Sequence, residues 1–328
     1  MMTVEPPTKQ TPPFALSLSK DSGGEGPSTA ASRPASSRQA NGQKNQLTVV
    51  IPTLGRSMLR GTLEALARGP VQPAEVIVVD QGRREELALM AAEYTGAGMP
   101  VTWIPSHRTG RSAGLNDGLS RVHTEYTAIT DDDCTPAANW VEGILRELSQ
   151  RPNAILTGRV EAGGDEPVLS VVTSDEPVEQ RKPSLRFDRL SGGNMAIATS
   201  LARRLGPFQE ATCMRTAEDA EFAYRALRAG VTIRYAPHLV VTHQGWRDPD
   251  QRSSQYREYG LSQGGFYGLY MRRGDLFIAL RAAIHLLRSL KRWLLGKLQK
   301  DDEMAANGKA YVMGLLPGII AGWRANNF

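Results

Sequence analysis

The chain has 328 residues, 41% hydrophobic and 22% charged, a balance that suits one large globular domain with or without appendages. Its net charge of +5 (pI ≈ 9.3) is uneven: between Met271 and Lys300 eight Lys and Arg stand against Asp275 alone, a local excess of +7. Two cysteines, Cys134 and Cys213, exclude a disulfide framework and a Cys-rich zinc site, and fit a reducing, cytoplasmic location.

Residues 1–46 are rich in Pro, Ser, Gly, Gln and Thr. They cannot bury enough apolar surface to offset their ordering entropy, so a disordered tail is expected there. No apolar run resembling a signal peptide opens the chain, so none is expected. No uncharged apolar run reaches the ~18–20 residues of a membrane span. The nearest, Tyr311–Trp323, is short and carries Pro317 and three glycines.

Order is expected from Leu47. LTVVIPT (47–53) reads as a buried strand, and a helix over 57–68 follows with Ser57 as its N-cap. AEVIVVD (74–80) is a second strand, with a helix over 83–94 behind it. PVTWIP (100–105) is a third, followed by a Gly-containing loop and a helix from Ser112. EYTAITD (125–131) is a fourth. This alternation predicts an α/β fold with a mainly parallel central sheet, whose ligand binds at the carboxyl ends of the strands. Asp80 and Asp131 both sit at such ends. After Val160 the chain becomes loop-rich over 161–190. It then gives SGGNMAIA (191–198), a helix from Ser200, an acidic pair within TAEDAEFAYRALRAG (216–230), and strands VTIRYA (231–236) and LVVTH (239–243). From Asp248 the sequence reads as helical. The expected organisation is a tail (1–46), a catalytic domain (47–247) and a helical C-terminal region (248–328).

The stretch Asp131-Asp132-Asp133 concentrates three carboxylates where a buried strand ends. Like charges repel, and each is costly to dehydrate. A hard divalent cation, Mg²⁺ or Mn²⁺, would neutralise them, because such ions take oxygen ligands from one or two carboxylates plus substrate phosphates. On extended chain Asp131 and Asp133 would point the same way and Asp132 elsewhere. On composition alone the triplet reads more readily as a solvated turn or a helix N-cap, and its place at a strand end raises the metal reading. Cys134 reads as a small buried residue, and His107 and His123 as surface histidines.

From Leu47 to about His243 the chain resembles the family-2 glycosyltransferases of the GT-A fold. The resemblance is carried by VVIPT, VIVVDQG, GRSAGLNDGL, DDDCTP, GGNMAIA and AEDAEFAYRALRAG, in that order over nearly 200 residues. It implies transfer of a sugar from a UDP-, GDP- or dTDP-linked donor to a glycan or lipid-linked acceptor, with a divalent metal and inversion at the anomeric carbon. It also implies roles. Pro52 and Thr53 would line the nucleotide pocket, Asp80 would bind the base, and Asp131 and Asp133 would serve the metal, with Asp132 beside the nucleotide sugar. Gly193 and Asn194 would floor the sugar pocket, Asp219 with Glu218 would supply the base, and His243 would add a metal or diphosphate contact. His243 reads equally as a hydrogen-bonded edge residue. Arg111 and Asn116 would also contact the nucleotide sugar; the stretch departs from the usual pattern at Arg108 and at Leu115, and Arg108 and Arg111 are candidates for phosphate contact. Gln81 replaces a common acid or amide after Asp80, which leaves the base and sugar open.

Displacement at an anomeric carbon needs charge stabilisation on the leaving diphosphate and a carboxylate to take the acceptor's proton. Asp219 at a helix start fits the second role, and its position near the helix N-terminus is predicted to lower its pKa.

In the C-terminal region, Leu280, Ile284, Leu287, Leu294 and Leu298 share one helical face. Arg281, His285, Arg288 and Arg292 share another, with Trp293 and Lys297 nearby. The pattern fits an interfacial helix on an anionic membrane, on the inner face of the cell membrane, or a helix packing its apolar face on the catalytic domain. The alternatives are a catalytically degenerate nucleotide-sugar-binding protein, against which both carboxylate sets stand, and a nucleotidyltransferase, whose Gly-rich phosphate loop VVIPTLGR is not; other functions are disfavoured. There is no G-x-G-x-x-G after the first strand, no Walker A loop, and no Gln-x-x-Arg-Trp motif of processive synthases. The basic segment is Leu-rich rather than a nucleic-acid motif.

Overall fold

The computed structural model of the protein describes residues 46–164, 171–245 and 249–325. The expected tail thus lies outside the described residues except for Gln46, as do parts of the 161–190 loop and the start of the helical region.

Strand β1 (Leu47–Thr53) is buried at all seven positions and pairs in parallel with β2 (Glu75–Asp80) and β4 (Tyr126–Thr130). Strand β3 (Val101–Pro105) adds in parallel outside β2. The crossovers are α1 (Leu59–Arg68), α2 (Glu85–Gly96) and α3 (Arg111–Leu119). Leu59, Leu63 and Leu66 recur at helical spacing and place one face of α1 in the core. Helix α1 starts two residues after the expected cap, with Met58 at that position and no side-chain capping bond.

The chain continues through β5 (Cys134–Pro136), α4 (Trp140–Gln150), β6 (Ala154–Gly163), β7 (Val178–Gln180), β8 (Asn194–Ala198) and α5 (Thr199–Leu205). A 3-10 turn (Thr212–Met214), α6 (Glu218–Arg228) and β9 (Thr232–Gln244) follow. The strand order is β3-β2-β1-β4-β8-β6-β9-β5, with β7 also paired to β9. The sheet is mixed: β8 runs antiparallel to both β4 and β6, and β5 and β7 run antiparallel to β9.

The two strands expected over 231–243 are one strand with a bulge. The β6–β9 register passes from Gly158↔Ala236 to Arg159↔Val240, so Pro237–Leu239 bow out. Pro237 cannot donate to a ladder, which suits a bulge. Gly158 allows the bow: a Cβ there would lie 2.0 Å from the Leu239 carbonyl oxygen.

Three long helices complete the chain: α7 (Pro249–Arg272), α8 (Leu276–Gln299) and α9 (Asp302–Arg324). Helices α7 and α9 run parallel with their backbones in contact. A Cβ on Gly264 would meet the Leu315 oxygen at 2.2 Å, and one on Gly318 the Leu261 oxygen at 2.1 Å. A second hydrophobic core joins Met214, Ala217 and Tyr224 to Phe266, Tyr267, Ile278 and Leu315. Residues before and after the expected boundary at 247/248 thus share one core. Among the described residues, no helix is long and apolar enough to cross a membrane.

Candidate active site

The acidic triplet is a turn, not extended chain: the Cys134 amide donates to the Asp131 carbonyl at 3.1 Å. The alternation expected for Asp131 and Asp133 therefore does not apply: Asp132 and Asp133 both approach Arg56, and Asp131 stands apart from them. Asp131 turns toward α3, where Arg111 Nε donates to it at 2.9 Å. Asp132 is 1% exposed and accepts from Thr53 Oγ1 and Arg56 Nη1, both at 2.5 Å. Burial raises its pKa, against the opposing pull of Arg56 and Thr53. Asp133 is also buried, and its Oδ1 lies 3.4 Å from His243 Nε2.

Backbone pairing creates that last approach. Cys134 stands opposite His243 in the β5–β9 ladder, and the Gln244 amide donates to the Asp133 carbonyl at 2.8 Å. One ligand atom from each of Asp133, Cys134 and His243 lies within 4.8 Å of the others. Burial, then the charges of Asp131 and Asp133, push the Cys134 thiol well above its ordinary range, so in the metal-free site it is a neutral thiol. A carboxylate and an imidazole remain. Such a pair fits a divalent cation of the Mn²⁺ type, with further positions left for phosphate oxygens and water. Asp131 is outside this group.

The second acidic pair opens α6. Glu218 is 3% exposed; its Oε1 accepts from Arg111 Nη1 at 2.7 Å, and its buried Oε2 has no hydrogen-bond partner. Asp219 is half-buried and accepts from the amides of Gly192 (3.1 Å) and Ala220 (2.7 Å). One guanidinium thus bonds two carboxyls, Asp131 and Glu218, and feels the charge of a third, Asp219. Burial would lower the Arg111 pKa, but Asp131, Glu218 and Asp219 outweigh it and hold the side chain charged. Burial pushes Glu218 up to about 7 and raises Asp219 as well, because one cation cannot compensate every acid around it. For Asp219 this reverses the lowering expected from its position at a helix start. Gly193 leaves room for the turn, since a Cβ there would lie 2.9 Å from Asp131 Oδ2.

These groups face one cleft of about 810 Å³. Pro52, Thr53, Arg111, Asp131, Asp132, Asp133, Gly193, Glu218, Asp219 and His243 all line it. Asp80, Asn116 and Asn194 do not, and each has another task. Asp80 is fully buried and accepts from the amides of Gly82, Arg83 and Arg84 and from Trp103 Nε1, fixing the turn after β2. Asn116 ties α3 to Phe208 and Glu210. Asn194 accepts from Trp140 Nε1 and donates to the carbonyls of Arg159 and Leu239, so it stitches β8 to the bulge. Arg108 pairs with Asp117 and Glu210.

Some of the lining residues carry no binding role in the sequence reading. Gln81, one residue past the buried Asp80, lines the cleft and donates to the carbonyls of Arg108 and Gly110. Its place at a strand end was the available signal. Tyr259, Gln263 and Tyr311 bring α7 and α9 into the cleft wall. Nothing in their sequence context announces that.

The mixed sheet, the acidic turn beyond β4 and the helical C-terminus define a GT-A glycosyltransferase fold. A mannosyltransferase from Pyrobaculum calidifontis, solved with GDP-Man and Mn²⁺, shares it at TM-score 0.59 and 14% identity, over 85% of this chain and 86% of that one. GalNAc-T7, solved with UDP, GalNAc and Mn²⁺, shares it at TM-score 0.52 and 16% identity, over 71% of this chain and 51% of that one. Residues 48–204 match glycosyl transferase family 2, and the chain carries a domain of that family. A pre-mycofactocin glycosyltransferase of Mycobacterium tuberculosis is 27% identical over 231 residues, 68% of this chain and 46% of the relative. The chain spans less than half of that relative's length.

Proposed function

We propose that the protein is a metal-dependent, inverting, non-processive glycosyltransferase. It moves a sugar from a nucleoside-diphosphate donor (UDP-, GDP- or dTDP-linked) to the hydroxyl of a glycan or lipid-linked acceptor in cell-envelope or exopolysaccharide assembly. The observation that carries this reading is that the Asp133–His243 pair and Asp219 face the same cleft.

Asp133 and His243 would hold Mn²⁺ or Mg²⁺, which supplies charge neutralisation for the leaving diphosphate. Pro52, Thr53 and Gln81 line the part of the cleft that follows β1 and β2, where the nucleotide would lie. Asp132 braces this part through Thr53 and Arg56. Asp219 takes the acceptor proton. Its two backbone donors fix the carboxylate, and its raised pKa makes it a better base than an ordinary aspartate. Glu218 is buried and engaged with Arg111, whereas Asp219 is half-buried and so the more accessible acid of the pair. Arg111 spans from Asp131 to Glu218 and sets the acidic turn against α6.

The test is nucleotide release from a panel of sugar donors with Mn²⁺ and candidate acceptors. Asp219→Asn is expected to abolish turnover and keep donor affinity. Retained turnover in that variant contradicts the assignment of the base.

A further inference from the structure

Helix α8 is amphipathic, and Arg281 and His285 of its polar face are turned inward with Ile278 and Ala282, while Arg288 of that face is exposed. Arg281 is 1% exposed, with Nη1 at 2.8 Å from Asp188 and Nε donating to the Arg186 carbonyl at 2.9 Å. His285 is 3% exposed, between Tyr267 and the Arg186 carbonyl, each at 2.8 Å. These two residues therefore do not belong to a basic outer face, contrary to the sequence expectation. The outer face carries Leu276, Leu280, Leu287, Leu294 and Leu298, each 51–82% exposed. Their spacing of four, seven, seven and four residues keeps them on one stripe. On α9, Met313, Leu316, Ile320 and Trp323 form a second stripe, 46–52% exposed, on the side opposite the glycines that contact α7.

Among the described residues nothing covers these two apolar stripes on one helical unit, so they call for a partner. The charge around them selects it. Lys291 lies within the α8 stripe, and Arg288, Lys297 and Lys300 are exposed beside it or at its end. Asp301, Asp302 and Glu303, in the turn and at the start of α9, are exposed acids nearby. They leave the cations along the helix in excess. A symmetric pairing of two copies would bring these cations together. An anionic bilayer would instead attract them while the leucines enter the acyl boundary and the long cationic side chains reach back to the headgroups.

We infer that the outer faces of α8 and α9 form a docking surface for an anionic lipid bilayer. The inner face of α8 holds Arg186 and Asp188, next to Phe187, Arg189 and Leu190 of the cleft wall. Docking therefore sets the cleft beside the bilayer, where a lipid-carried hydroxyl can reach it. That last step rests on the glycosyl-transfer reading; the docking itself does not.

The test is flotation of the full chain with vesicles of phosphatidylcholine alone or mixed with phosphatidylglycerol. Two double variants are compared, Leu287→Glu with Leu294→Glu, and Arg288→Glu with Lys291→Glu. The wild type is expected to partition at least about tenfold more strongly onto the anionic vesicles, less so as salt rises. Each double variant is expected to lose about tenfold of that partition with unchanged melting temperature. Absence of flotation with anionic vesicles overturns the inference, as does equal partition of wild type and both variants. A wild-type dimer in light scattering that the leucine variant converts to monomer also overturns it, by assigning the face to a second copy. Calorimetric donor binding is read on the same samples: its loss with flotation intact contradicts the glycosyl-transfer reading alone.

Discussion

His243 Nε2 stands 3.4 Å from Asp133 Oδ1, although 110 residues separate the two in the chain. The β5–β9 pairing sets this distance, so the site is built by sheet register rather than by a local motif. Replacing His243 by Ala keeps the backbone pairing and removes one donor. Mn²⁺ affinity in the presence of nucleotide is expected to fall at least about tenfold, read by calorimetry or by the Mn²⁺ paramagnetic signal. Unchanged affinity would make His243 a hydrogen-bonded edge residue.

Glu218 gives a pH-dependent stability. Its carboxyl is pushed up to about 7 in the folded state, against 4.5 for the free group. The folded protein then binds the proton more tightly than the unfolded one. Stability from this group is fully present below about 4.5 and is lost as pH rises through about 7. Glu218→Gln mimics the protonated form. It is expected to raise Tm at pH 8 by roughly 2 °C, on the order of 1 kcal/mol, and to change little at pH 5. Thermal melts at the two pH values check this; destabilisation at pH 8 would mean that the Arg111 ion pair outweighs burial.

Asn194 is placed as a structural residue. Its amide satisfies Trp140 Nε1 and two strand carbonyls, in a site 1% exposed. Asn194→Ala leaves those partners buried and unpaired, at a cost of about 2–3 kcal/mol. Urea unfolding is expected to show that loss. Donor affinity, measured where the variant is folded, is expected to stay within about threefold of wild type. A large loss of affinity without loss of stability would return Asn194 to the sugar pocket.

Much of the parallel half of the sheet was legible because β1, β2 and β4 are β-branched runs buried on both faces, which leave an unmistakable apolar pattern. The single strand β9 was not, because Pro237 reads as a break and only the tertiary register makes it a bulge. At the site, residue types were legible and directions were not. Asp80 and Gln81 are neighbours at one strand end, and only the fold decides that the acid caps the turn while the amide lines the cleft. Likewise a sequence displays the two faces of α8 without saying which is inside. The buried Arg281–Asp188 pair, across 93 residues, decides it.

Asp133 is proposed to anchor a metal-bound nucleoside diphosphate. The most direct measurement is calorimetric titration of UDP, GDP and dTDP with Mn²⁺ into wild type and Asp133→Ala. The account predicts metal-dependent binding of one of these nucleotides to the wild type and its loss in the variant. Binding that is equal in the two proteins, or independent of Mn²⁺, would contradict it.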